Sequence, residues 1–181
     1  MEVCVRIRTV TGLLMGVALV LVLAAPAAAQ AKKSSASDAD KPLFGVGLSF
    51  LHGEGETGKG FTADVLIKNF KSTDKMAIGV LGDVGFYHFT DEWDSSFMGG
   101  VRVTGTSNAK VMPFGQFLIG IEHGGGATDT AFEPGGGVDV PLSNQKFNFR
   151  VAIGIRFIKG DFKTFHATKF TVGISCPIGN K

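Results

Sequence analysis

The stretch KFNFRVAIGIRF, residues 146–157, alternates without a break. Lys146, Asn148, Arg150, Ala152, Gly154 and Arg156 fall on one side of an extended chain. Phe147, Phe149, Val151, Ile153, Ile155 and Phe157 fall on the other. Successive side chains of a β-strand point to opposite faces, so this is a strand with one wholly apolar face. Its other face mixes charges with very small side chains. That combination predicts a transmembrane β-barrel strand, apolar toward lipid and polar toward a narrow lumen.

The same alternation recurs along the chain between clusters of Gly, Asp, Ser, Asn and Thr, which are strand boundaries. It predicts eight strands, at 43–51, 60–70, 76–89, 96–105, 111–123, 130–142, 145–158 and 165–176. In the first, Phe44, Val46, Leu48 and Phe50 oppose Gly45, Gly47 and Ser49. A tilted membrane strand needs about 9–11 residues, which these segments supply with some excess at the rims. The fold class expected is all-β: an eight-stranded antiparallel up-and-down transmembrane β-barrel, preceded by a cleavable signal peptide.

The signal is residues 1–31. Arg6 and Arg8 precede the apolar run GLLMGVALVLVLAA (12–25), and small residues around Ala29 and Ala31 offer cleavage sites, with cleavage expected after Ala31. Residues 32–42 (KKSSASDADKP) are polar and aperiodic and read as a disordered linker. The barrel domain is assigned to 43–178. Removing Glu2, Arg6 and Arg8 leaves the mature chain at a net charge of +1, which gives no reason to expect nucleic acid as a partner. Cys4 leaves with the signal and Cys176 stays alone, so the mature monomer has no disulfide framework and no cysteine zinc site.

Alternation alone does not say which face is inside. A soluble lipocalin-like barrel, periplasmic and binding an apolar ligand in its interior, carries the same pattern inverted. Glycine abundance on the polar face favours the membrane form, because an eight-stranded lumen is just wide enough for side chains to fill. The charges on that face also have both signs. Asp64, Asp83, Glu122, Glu133 and Asp139 stand against Lys68, Arg102, Lys146, Arg150, Arg156 and Lys169. Buried charges are tolerable when paired, so these residues are expected to form a structural charge network in the lumen. Most of the sixteen Phe lie on the apolar face, as an interfacial girdle would require, although Tyr87 and Trp93 are the only other large aromatics.

Several of these segments resemble a known family. GVLGDVG (79–85), Pro113-Phe114 with Gly120, and GGGVDVP (135–141) with Arg150 downstream are similar to the small outer-membrane β-barrel domain of OmpA-type and opacity-type proteins. The resemblance spans about 43–178. It implies a bacterial outer-membrane location, short periplasmic turns and longer external loops. Members commonly end in an aromatic residue on the last strand; here the chain runs past Ile174 to CPIGNK (176–181).

With a periplasmic N-terminus, the external loops are expected at 52–59, 90–95, 124–129 and 159–164, and the periplasmic turns at about 71–75, 106–110 and 143–144. Outer-membrane lipid and lipopolysaccharide are the expected surroundings, and a partner would meet the loops. His52, His88, His123 and His166 fall at the outer rim near several acids, but no two have a ligand-like spacing, so no metal site is assigned. The nearest hydroxyl–imidazole pairs in sequence are Ser49 with His52, on opposite faces, and Thr168 with His166, on the apolar face. A hydrolytic triad needs better placement than this. No catalytic residue and no cofactor is expected. Conduction should be small, since open channels take about sixteen strands.

Overall fold

A computed structural model of the chain describes residues 42–72, 76–105, 111–142, 146–160 and 164–178. The expected signal peptide, the linker up to Lys41, the centres of the three turns expected in the periplasm and the centre of the expected loop 159–164 lie outside the described residues. The strands are β1 (Leu43–Gly53), β2 (Glu56–Ser72), β3 (Met76–His88), β4 (Trp93–Gly105), β5 (Met112–Gly124), β6 (Ala127–Pro141), β7 (Asn148–Lys159) and β8 (Thr164–Pro177). Each pairs antiparallel with the next, and β1 also pairs with β8, which closes the barrel. Leu43 and Pro177 face each other where the two ends of the chain meet, and Ile178 N donates to Pro42 O at 2.6 Å. That end is called the termini end below, and the opposite one the tip end.

All eight predicted strands are present, and several run further than the apolar alternation indicated. β2 starts at Glu56 rather than 60, and β4 at Trp93 rather than 96. The added residues are polar, so hydrophobic periodicity could not reveal them, but their backbones continue the ladder: His52 pairs with Thr57, and His88 with Trp93. β7 in turn starts at Asn148 rather than 145, leaving Lys146 exposed outside the strand.

This corrects the expectation of long loops at the tip end. Segment 52–59 contracts to a turn at Glu54 and Gly55, and 124–129 to a turn at Gly125 and Gly126. Both residues of each turn have positive φ: 49° and 93° in the first, 57° and 79° in the second. That is the backbone of the two-residue hairpin turn whose twist matches the flanking strands. Of the other two segments, 90–95 loses Trp93, Asp94 and Ser95 to β4, and 159–164 loses its end residues to β7 and β8.

A Cβ added at Gly126 would meet nothing within 4 Å, so substitution there tests the backbone alone. Gly126→Val is expected to cost about 1–3 kcal/mol from the unfavourable φ. A urea unfolding midpoint in detergent would measure it, and an unchanged midpoint would contradict the turn geometry.

The apolar face points outward. Leu48 is 66% exposed, Ile119 55% and Ile153 46%, while Arg156, Glu133 and Arg150 are buried inside. An apolar ligand chamber, as the lipocalin-like alternative requires, is therefore not what the closed sheet encloses. The lumen does carry one apolar seam, Leu66, Leu81, Met98, Leu118 and Ala131 on the consecutive strands β2 to β6. A second small cluster near the tip end joins Leu51, Tyr87 and Ala167, with Phe89 packed against it.

Candidate functional site: the lumen and the tip-end rim

The inward face of the barrel brings most of the predicted charges together, in two clusters. In the first, Arg150 lies 2.7 Å from Asp139, its neighbour on β6, and 2.6 Å from Asp64 on β2. Arg102 from β4 joins at 3.5 Å from Asp64 and donates to Gln116 Oε1 on β5 at 2.8 and 3.2 Å. Two guanidiniums meet two carboxylates, so the cluster is neutral when all are ionised. Phe114 packs against both cations, with Arg102 4.3 Å and Arg150 5.4 Å from its ring centre, a favourable cation–π arrangement.

In the second cluster Arg156 reaches Glu133 at 2.7 Å and Glu122 at 3.1 Å, and Lys169 reaches Asp83 at 3.1 Å and Glu133 at 3.3 Å. Arg156 also donates to the Tyr87 hydroxyl at 3.4 Å. Several contacts of the two clusters join strands that are not hydrogen-bonded neighbours: β8 to β3, β8 to β6, β7 to β5, β7 to β3, β7 to β2 and β4 to β2. They act as struts across a tube whose wall is otherwise held only edge to edge.

The glycines make room for these struts. A Cβ at Gly45 would collide with the Asp64 carboxylate and the Arg150 guanidinium, and one at Gly154 would press on Glu133 at 3.1 Å. Between the clusters, a cavity of about 20 Å³ is lined by Asp64, Asp83, Arg102, Glu133, Arg150 and Lys169 among others. About 10–15 Å³ holds one water molecule, so the space fits a single water and no solute. Arg102 Nη1, in the wall of this region, has no protein partner.

Nine of the eleven charges expected in the lumen thus fall into one cluster or the other, and Lys146 is not among them, being exposed ahead of β7. The side chain of Lys68 lies outside the described residues. Tyr87, Gln116 and Phe114 were missed as participants although all three fall on the polar face. Their role depends on cross-strand register, such as Arg102 opposite Gln116, and one strand's alternation does not contain that register.

At the tip end, neither sequence-adjacent hydroxyl–imidazole pair forms a unit. Ser49 turns into the lumen and bonds Thr62 at 3.0 Å and Thr171 at 2.7 Å. His52 is exposed on the other face, and His166 packs edge-on to Phe157 at 4.9 Å. Two different pairs appear instead: His52 Nδ1 with Thr57 Oγ1, and His123 Nδ1 with Thr128 Oγ1, each hydrogen-bonded at 2.8 Å. The signal for them lay in the sequence as a repeat, HGEGET at 52–57 and HGGGAT at 123–128. A two-residue turn flanked by one residue on each side sets His against Thr in both hairpins. Among the described residues no group of three or more His, Cys, Asp or Glu is placed to hold a metal ion.

No protein-family model matches the chain, and no curated protein matches it significantly. Solved structures do. Neisserial surface protein A superposes with a TM-score of 0.57 at 11% identity, over 77% of this chain and 97% of the other. Ail, the attachment invasion locus protein of Yersinia pestis, solved with the heparin analogue sucrose octasulfate, superposes with a TM-score of 0.51 at 13% identity over the same shares. At these identities the likeness establishes the fold, that of the eight-stranded barrels of bacterial outer membranes.

Proposed function

We propose that this chain is a bacterial outer-membrane barrel whose lumen is a structural plug of paired charges and whose biological role is exercised at its surface. One observation carries this reading: the buried ion pairs fill the interior while the apolar residues face out. A bilayer is the solvent in which that inversion is stable. The even strand number puts both termini on one side, and the termini end is assigned to the periplasm. The tip end then faces outward, and with turns this short its contact surface is the rim itself. Solved barrels of the same fold include one named as a surface protein and one named for attachment and invasion, which accords with a surface role.

A transport role finds no support in a lumen whose central cavity has room for about one water. Planar-bilayer recordings of the purified barrel are expected to stay near baseline, and stable single-channel steps would contradict the plug. No catalytic role is assigned to the His–Thr pairs, because they face outward and the cavity described above lies inside.

The test of location is fractionation of the expressed full chain, followed by gel mobility with and without boiling. Recovery in the outer membrane with a faster unboiled band is the expected result. Recovery in the soluble periplasmic fraction, with one mobility, would overturn the proposal.

A further inference from the structure

The connection between β3 and β4 is built differently from the two hairpin turns described above. Phe89, Thr90, Asp91 and Glu92 join the strands, and the Phe89 N–H donates to Glu92 O at 2.9 Å. This segment leans over the mouth of the lumen and meets both hairpins. The Phe89 ring packs on Leu51, Tyr87 and Ala167, from β1, β3 and β8, and fills the space that a Cβ at Gly58 on β2 would need. On the other side, Glu92 Oε2 lies 3.1 Å from where a Cβ of Gly125 would stand, and the Asp94 carboxylate occupies the corresponding place at Gly124. Apolar contacts thus hold one edge of the cover, and carboxylates lie along the other.

The carboxylate edge is poorly matched. Asp94 is half-buried, and its Oδ1 is shut off from solvent with no hydrogen-bond partner among the described residues. The charged groups that face it there are Glu92 on its own connection, Glu122 and His123 on β5, and Arg156 on β7, while Tyr87 on β3 is its register partner. Arg156 is already shared by Glu122 and Glu133, and His123 Nδ1 is taken by Thr128. A carboxylate set against two others without a donor is best accommodated with a proton on it. Asp94 also lies above the apolar belt, since its strand neighbours are Trp93 and Ser95 and the belt on these strands ends at Phe86 and Phe97. Burial, then Glu122 and Glu92, push its carboxyl up to about 6, against the opposing pull of His123 and Arg156.

We propose that the Phe89–Glu92 segment is a proton-operated lid on the lumen, held down while Asp94 is neutral and released when Asp94 ionises beside Glu122 and Glu92. With the lid raised, Asp94 is solvated and titrates in the ordinary carboxylate range, at about 4. The closed form therefore binds the proton more tightly. It gains weight as pH falls, and loses it as pH rises through the closed-state value of about 6. Between about pH 7 and about pH 5 the balance moves about tenfold toward the closed form. That the lid senses the exterior rests on the outer-membrane reading above; the switch itself does not.

Ser96 lies beneath the lid, on the same face as Asp94 and two residues further into the barrel. It is fully buried, and its Oγ has no partner among the described residues, so Ser96→Cys sets a thiol there with little disturbance. In a Cys176→Ser background, the folded full barrel in detergent would be treated with a charged methanethiosulfonate. Dividing the rate by that of free cysteine at the same pH removes the ordinary ionisation of the thiol. The corrected rate is expected to be about tenfold higher at about pH 7 than at about pH 5. Asp94→Asn, neutral at both, should flatten the profile at the slow rate, and Phe89→Ala should flatten it at the fast rate. The unboiled gel band selects folded barrels for each reading. Hydrogen exchange at the Phe89 amide, corrected for its intrinsic pH dependence, gives a second reading without a thiol, and protection should fall as pH rises.

A rate independent of pH in the Ser96→Cys barrel would overturn the switch. So would a slope that survives Asp94→Asn, or flattening of that variant at the fast rate. A Phe89→Ala barrel no more reactive than its parent would overturn the lid. If Ser96→Cys does not fold, Phe89 protection that is unchanged by pH overturns the proposal by itself. Recovery of the protein in the soluble fraction would contradict the membrane reading and leave each of these outcomes as decisive as before.

Discussion

Arg156→Leu is expected to destabilise the folded barrel by about 3–5 kcal/mol, the usual cost of removing one partner from a buried ion pair. Arg156 has no exposed surface, and its guanidinium is the group that meets both Glu133 and Glu122. Without it, Glu133 keeps only Lys169, which Asp83 already shares, and Glu122 loses its ion pair among the described residues. Two carboxylates would then sit against apolar lumen walls with too little positive charge. The loss should be smaller if Glu122→Gln accompanies it, because the penalty comes from the stranded charge more than from the missing contact. Urea unfolding in detergent, followed by the unboiled gel band, reads both variants. An Arg156→Leu barrel as stable as the parent would show that the lumen charges are solvated, and the plug would have to be abandoned.

The second large effect is expected on the other face. Ile119 lies near the middle of β5, 55% exposed, with Gly99 and Phe132 as its register partners. Ile119→Arg should cost about 2–4 kcal/mol in a bilayer, the price of a cation near the midplane, while the lumen pairs remain intact. Ile119→Leu should be close to neutral. The pair of substitutions separates lipid from water as the surroundings of this face, since an arginine on a wetted surface is tolerated within about 0.5 kcal/mol.

The strands, their faces and the sign balance of the lumen were all legible in the sequence because each depends on a period of two within a single segment. Residues 146–157 alone carry the argument, and Arg150 and Arg156 fall inside as that period requires. What was not legible depends on pairing between segments. Gln116 joins Arg102 only through the β4–β5 register, and the apolar seam from Leu66 to Ala131 emerges only when five strands are laid side by side. The tips were misjudged for a related reason. Polar residues such as Glu56 and Thr57 look like loop by composition, yet two positive-φ residues suffice to turn the chain, and the ladder claims the rest. The repeated HGxGxT motif was visible as letters, but its meaning needed the hairpin that brings Thr to Nδ1.

The central claim is that the apolar face meets lipid while the charged face is sealed inside. Single tryptophans at 119 and at 101, in a Trp93→Phe background, test it most directly. Both positions are outward and near mid-strand. In vesicles, each tryptophan should be strongly quenched by lipid brominated deep in the acyl chain and barely touched by aqueous iodide. Iodide quenching without lipid quenching at these positions would place the face in water and contradict the account.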